Sequence, residues 1–107
     1  MDQLEILRKA NVDRDKEWNP DKVLSLTFRG NELGGETGEA QNCIKKLERE
    51  RLGLRGSRSS LEQLAEELAD VVICVDLIAM EYEIPLWEAI RKKFNKTSVE
   101  RGLSILL

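Results

Sequence analysis

The sequence predicts an all-α fold, a helical hairpin completed to a four-helix-bundle-like domain. Three observations carry that prediction. Apolar residues recur at three- and four-residue spacing over most of the chain. Charged residues make up 35% of the sequence against 5% aromatics, a balance that suits charge-coated helices better than a β-sandwich. The two longest periodic stretches are separated by a basic, Gly/Ser-rich segment at 48–60 that reads as a loop. At 107 residues, the chain is expected to form one domain, 1–107.

The first helix is expected over 2–17, where Asp2 with Glu5 makes a capping box and Leu4 and Leu7 give a thin apolar stripe. Asp13–Glu17 reads as its solvated end. Trp18-Asn19-Pro20-Asp21 is a break and restart, with Asn19 as cap and Pro20 at the first helical position. Val23–Phe28 alternates partly like a strand, but the sustained spacing Leu33, Thr37, Ala40, Ile44, Leu47 assigns it to a long second helix from about 20 to about 51, with Gly30 or Gly34/Gly35 as sites for a bend. Gly30, Gly34 and Gly38 each cost that helix about 1 kcal/mol relative to alanine, which implies that another helix or a ligand approaches their backbone.

Gly53 is the expected stop of the second helix. Ser59 with Glu62, or Ser60 with Gln63, caps the third, which runs from about 60 to about 82. Its core stripe is Leu61, Leu64, Leu68, Val71, Val75, Ile78 and Tyr82. Ile73, Leu77 and Met80 are expected to point away from the core, leaving a helix apolar all round that a domain of this size cannot wrap alone. A homo-oligomer follows. Pro85 opens the last helix, where Leu86, Ala89/Ile90 and Phe94 face the core and Lys92, Lys93, Lys96 and Arg101 form a basic end. The apolar tail 102–107 folds back or packs on a partner.

Several function classes are excluded or disfavoured. The chain has no histidine, which removes Ser–His and Cys–His nucleophiles and His-ligated zinc. A net charge of −3 disfavours a general nucleic-acid or anionic-membrane surface. The apolar run 71–80 is too short to span a membrane and is interrupted by Asp76. The charged N-terminus carries no leader-like run, and Cys43 and Cys74 read as reduced, buried thiols of a cytoplasmic protein.

The residues that point to chemistry are two acidic pairs. Glu36/Glu39 in the second helix and Glu67/Asp70 in the third each lie three residues apart, so each pair shares a helix face, beside the core stripe rather than opposite it. Four carboxylates gathered beside an apolar core repel one another and lose hydration unless a cation lies between them. With no histidine, the donors are all oxygen, which selects Mg²⁺ or Mn²⁺. A solvated acidic face is the competing reading. Lys93 and Arg101 share a face with Thr97 between them, either for phosphate or for the helix dipole. Arg51, Arg55 and Arg58 either close over a triphosphate or stay solvated. Trp18 and Trp87 stack on a base or pack at a junction. Asp76 must be hydrogen-bonded or functional, binding nucleotide or locking a subunit contact.

The pattern resembles the MazG-like all-α nucleoside triphosphate pyrophosphohydrolases over about 20–103. Gly35-Glu36-Thr37-Gly38-Glu39 is similar to the family's EExxE segment, and Glu67-Leu68-Ala69-Asp70 to its ExxD segment. Lys93-Phe94-Asn95-Lys96-Thr97-Ser98 through Arg101-Gly102-Leu103 resembles the basic C-terminal motif of small members. Gly35 departs from the pattern where the first glutamate stands, and Glu32, one turn earlier, is the candidate replacement.

The resemblance implies Mg²⁺-dependent hydrolysis of (d)NTP to monophosphate and pyrophosphate, in nucleotide-pool cleaning, by a dimer or tetramer. Glu36, Glu39, Glu67 and Asp70 are the implied metal and catalytic set, with Glu36 as base. Lys93, Asn95, Lys96 and Arg101, with Asp76 and Trp18, are the implied substrate contacts. No membrane or nucleic-acid polymer is an expected partner. The alternatives are a non-enzymatic helical interaction module and a degenerate family member that binds nucleotide without cleaving it.

Overall fold

A computed structural model describes residues 1–107 and contains four helices and no strand: α1 (Gln3–Trp18), α2 (Leu26–Arg51), α3 (Leu61–Glu81) and α4 (Leu86–Glu100). The all-α expectation holds. No helix is long and apolar enough to cross a membrane. The framework is an α2–α3 hairpin, α1 packs across α3, and α4 packs chiefly on α1.

Local chemistry sets the boundaries. Asp2 and Glu5 form the expected capping box at α1. Ser60, one of the two candidate caps, accepts the Gln63 amide at 3.0 Å and opens α3. Past α2, Gly53 takes a left-handed φ of 70°, Gly53 N–H reaches the Glu50 carbonyl and Leu54 N–H the Arg49 carbonyl, so the helix ends in a Schellman motif.

The second helix starts six residues later than its pattern implied. Asn19 does not cap it. Asn19 ends α1, donating its backbone N–H to Asp15, while its Oδ1 accepts the Val23 and Leu24 amides at 3.0 and 3.4 Å. Lys22 then turns left-handed at φ 53°, and the helix restarts at Ser25, whose hydroxyl accepts the Phe28 amide at 3.1 Å. An Asn side chain that bonds the backbone ahead of it offers the chain a turn in place of a helix. From Leu26, α2 runs uninterrupted through all four glycines.

Polar clasps, more than apolar side chains, join the helices inside one chain. Asp76 is fully buried; its Oδ1 accepts from Arg8 Nε at 3.1 Å and its Oδ2 from Asn11 Nδ2 at 2.9 Å, tying α3 to α1. Arg8 also donates to the Ile84 carbonyl at 2.7 Å. Arg29, 2% exposed, bonds Asp15 at 2.9 Å and Glu81 at 2.7 Å and so joins α2 to α1 and α3. Asp15 is thus a half-buried partner of Arg29 rather than part of a solvated end.

Only nine of 107 residues are buried, and the apolar ones among them are small: Ala40, Cys43, Cys74 and Ala79. The predicted core stripe of α3 is not covered within the chain. Leu61, Leu68 and Tyr82 are exposed, and Val71, Val75 and Ile78 half-buried. Ile73, Leu77 and Met80, expected to point away, line cavities formed with α1. Phe94 and Ile90 are exposed as well. Nor does anything in the chain approach the glycines: a Cβ built at Gly30, Gly34, Gly35 or Gly38 meets nothing within 4 Å. Periodicity marks which residues must be covered, not whether the same chain covers them.

Candidate metal and phosphate site

The antiparallel α2–α3 hairpin brings the two acidic pairs face to face. Carboxylate oxygens of Glu36, Glu67 and Asp70 lie within 4.8 Å of one another. Glu39 sits one turn along α2 against Glu67. Glu36 and Glu67 are half-buried; one oxygen of each, Oε2, is fully shielded and has no hydrogen-bond partner. Glu67 Oε1 is held by Gln63 Nε2 at 2.6 Å, which fixes that side chain toward α2.

Shielded carboxylate oxygens without donors are unfavourable, and the site's electrostatics record it. Burial, then the charges of Glu39, Asp70, Glu67 and Glu32, raise the Glu36 pKa above the ordinary glutamate value. A hydrogen bond that the protonated Glu39 carboxyl can share with Glu67, then the charge of Glu67, raises the Glu39 pKa. Two orphaned oxygens in an all-oxygen donor set fit a hard divalent cation such as Mg²⁺ or Mn²⁺. Glu36, Glu67 and Asp70 are placed to hold it, with Glu39 adjoining.

Two concavities flank these acids along the hairpin axis. Toward α1 lies a groove of about 560 Å³, lined by Glu32, Glu36 and Asp70 at one end and by Trp18, Phe28 and Leu24 at the other. Glu32 therefore shares the groove with the acids although its carboxylate lies outside the tight group of three. Trp18 is 77% exposed, with the Arg14 guanidinium 5.3 Å above its ring, a cation–π contact that presents the indole at the groove edge. Toward the α2–α3 loop lies a polar cavity of about 460 Å³ containing Glu39, Glu67, Lys46, Arg58, Ser59 and Ser60.

The other predicted contacts are not brought to the acids by a single chain. Lys93 and Lys96 sit on α4 and Arg101 caps its C-terminal end, and none of them lines either concavity. Lys96 faces Glu100 at 3.9 Å. Asn95 binds the folded-back tail, donating to the Leu107 carbonyl at 3.2 Å and accepting the Leu107 amide at 2.7 Å. Asp76 has both oxygens engaged by Arg8 and Asn11, so its role here is to join helices. Cys74 is buried against the Arg29 carbonyl, and burial pushes its thiol pKa up, which suits an inert thiol.

Sequence reasoning passed over Lys46, Phe28 and Gln63 as site residues. Gln63 was legible only as a cap partner; Lys46 falls on the same α2 stripe as Glu32, Glu36 and Glu39 at helical spacing, without a role that the spacing alone would give it. Their sharing of a cavity with the acids depends on the hairpin register. Compared with protein-family models, curated proteins and solved structures, the chain shows no match.

Proposed function

We propose that this chain is a divalent-metal-dependent nucleoside triphosphate pyrophosphohydrolase that works as a homo-oligomer. The observation that carries the reading is the group Glu36, Glu67 and Asp70, with its two shielded, unpartnered oxygens, beside a groove edged by an aromatic ring. The motif spacing that resembles MazG-like proteins supports it independently. A cation held there supplies neutralisation of phosphate oxygens and a lowered pKa for water. Gln63 orients Glu67. Glu36 is the side chain assigned to take the proton of the attacking water, since it lines the groove and belongs to the group of three carboxylates. Trp18 and Phe28 offer ring faces to the base.

Self-association rests on surface arithmetic. The chain exposes 8039 Å², about 2,000 Å² more than a compact monomer of 12.2 kDa would. Its radius of gyration is 17.1 Å, against about 13 Å for a compact chain of this length. An excess of about 2,000 Å² per subunit is on the scale of an obligate homodimer interface. The uncovered apolar faces of α3 and α4 and the open glycine backbone of α2 are its natural components. Such a partner is also the route by which Lys93, Lys96 and Arg101 would reach phosphate.

The test is pyrophosphate release from a panel of deoxynucleoside triphosphates, with and without Mg²⁺, by the wild type and by Glu39→Gln and Asp70→Asn. Mg²⁺-dependent release that both substitutions abolish, with helicity retained, is expected. Release at the wild-type rate by either variant refutes the site. Absence of both turnover and nucleotide binding favours instead a helical interaction module, the reading to which the exposed apolar faces would then belong.

A further inference from the structure

The polar cavity at the loop end of the hairpin is lined by two cations that form no ion pair within the chain. Lys46 is half-buried and Arg58 exposed, and neither is in an ion pair, although Glu39 and Glu67 line the same cavity. Helical side chains lean toward the helix N-terminus, so the Lys46 stem runs back along α2 toward the turn that bears Glu39. Arg58 enters from the loop, whose end is anchored by the Ser59 Oγ contact with Cys43 Sγ at 2.8 Å. Ser60 closes the cavity. Its hydroxyl oxygen already accepts the Gln63 amide and so keeps its proton to donate, and it opens the positive end of the α3 dipole.

Along the hairpin the order is therefore aromatic groove, carboxylates, cationic cavity. A metal nucleotide has the same order: an apolar base, phosphates bridged by cation, and an anionic terminus. We propose that the cavity binds the two terminal phosphates of the triphosphate, with Lys46 and Arg58 as their cationic ligands, and so sets the direction in which substrate lies: nucleoside toward α1, departing pyrophosphate toward the α2–α3 loop. This inference rests on the pyrophosphohydrolase reading and assigns to that site a phosphate-binding pair on the same chain, distinct from the basic end of α4.

Inorganic pyrophosphate with Mg²⁺ is the probe, titrated calorimetrically into the full chain. Lys46→Gln and Arg58→Gln are each expected to weaken binding roughly tenfold or more, the loss of one charge-assisted contact. Lys46→Arg keeps the charge and is expected to stay near wild type. Lys45→Gln removes the same charge from the neighbouring exposed position, outside the cavity, and is expected to change nothing. Thermal melts check that each variant is folded. Equal affinity across all variants, or no binding by the wild type at millimolar concentration, overturns the inference. Triphosphate turnover is measured in parallel. Turnover with pyrophosphate binding indifferent to Lys46 and Arg58 removes this cavity and leaves the hydrolase; Lys46-dependent pyrophosphate binding without turnover removes the hydrolase and supports the cavity.

Discussion

Asp76 separates a structural from a substrate-binding reading of the only buried acid in the apolar stretch of α3. In the structure its carboxylate is fully buried and carries one bond from the Arg8 guanidinium and one from the Asn11 amide, at 3.1 and 2.9 Å. Asp76→Asn keeps the shape but turns an N–H₂ toward one of those donors and removes the charge that balances Arg8. Arg8 is 21% exposed and holds the Ile84 carbonyl, so it regains water, while the buried Asn11 amide competes for the remaining oxygen. Losing about one charge-assisted bond, at roughly 1.5–3 kcal/mol, sets the expected loss at about 2 kcal/mol. Arg8→Ala is worse, about 3–5 kcal/mol, because it leaves a buried carboxylate with one neutral donor. The double variant should cost less than the two losses added, since the residues touch. Urea titration at one fixed subunit concentration reads all three, a condition that the proposed self-association requires. Turnover per folded subunit should be unchanged in Asp76→Asn. If Asp76→Asn is as stable as wild type yet loses nucleotide turnover or binding, the clasp assignment is wrong and Asp76 belongs to the substrate site.

Two further outcomes follow from the same structure. Glu36 and Glu39 bind protons more tightly when folded than the ordinary glutamate value of 4.5 implies, so their contribution to stability is present below that value and declines as pH rises through their raised pKa values. In chelator, the melting temperature of the wild type should therefore fall relative to that of Glu36→Gln between acid and neutral pH, and saturating Mg²⁺ should close the gap; parallel profiles in chelator would contradict the mutual repulsion. Val72, 48% exposed on α3, lies on the face proposed to meet a second copy, and Val72→Lys should shift the sedimentation coefficient toward a single chain. An unchanged oligomer would place the interface elsewhere.

What was legible in the sequence was what local spacing encodes. Helical periodicity located all four helices, Asp2, the Ser59 or Ser60 alternative and the stop at Gly53 located three of their ends, and the three-residue spacing within each acidic pair placed its carboxylates on one face. The absence of histidine, with four carboxylates in the two pairs, already pointed a metal site toward oxygen donors. Three matters depended on the tertiary structure. Asn19 could end one helix or begin the next, and the Lys22 turn decided for the end, because a side chain that bonds forward amides competes with helix propagation. Asp76 could face substrate, subunit or helix, and its position against Arg8 and Asn11 decided for the helix, since partners 68 and 65 residues away leave no trace in local spacing. The two acidic pairs share one site, and Lys46 adjoins it, only because the hairpin register sets Glu36 against Glu67 and Asp70. A helical pattern specifies which side of its own axis a residue occupies; which neighbour it meets is set by how two such faces slide and lock together.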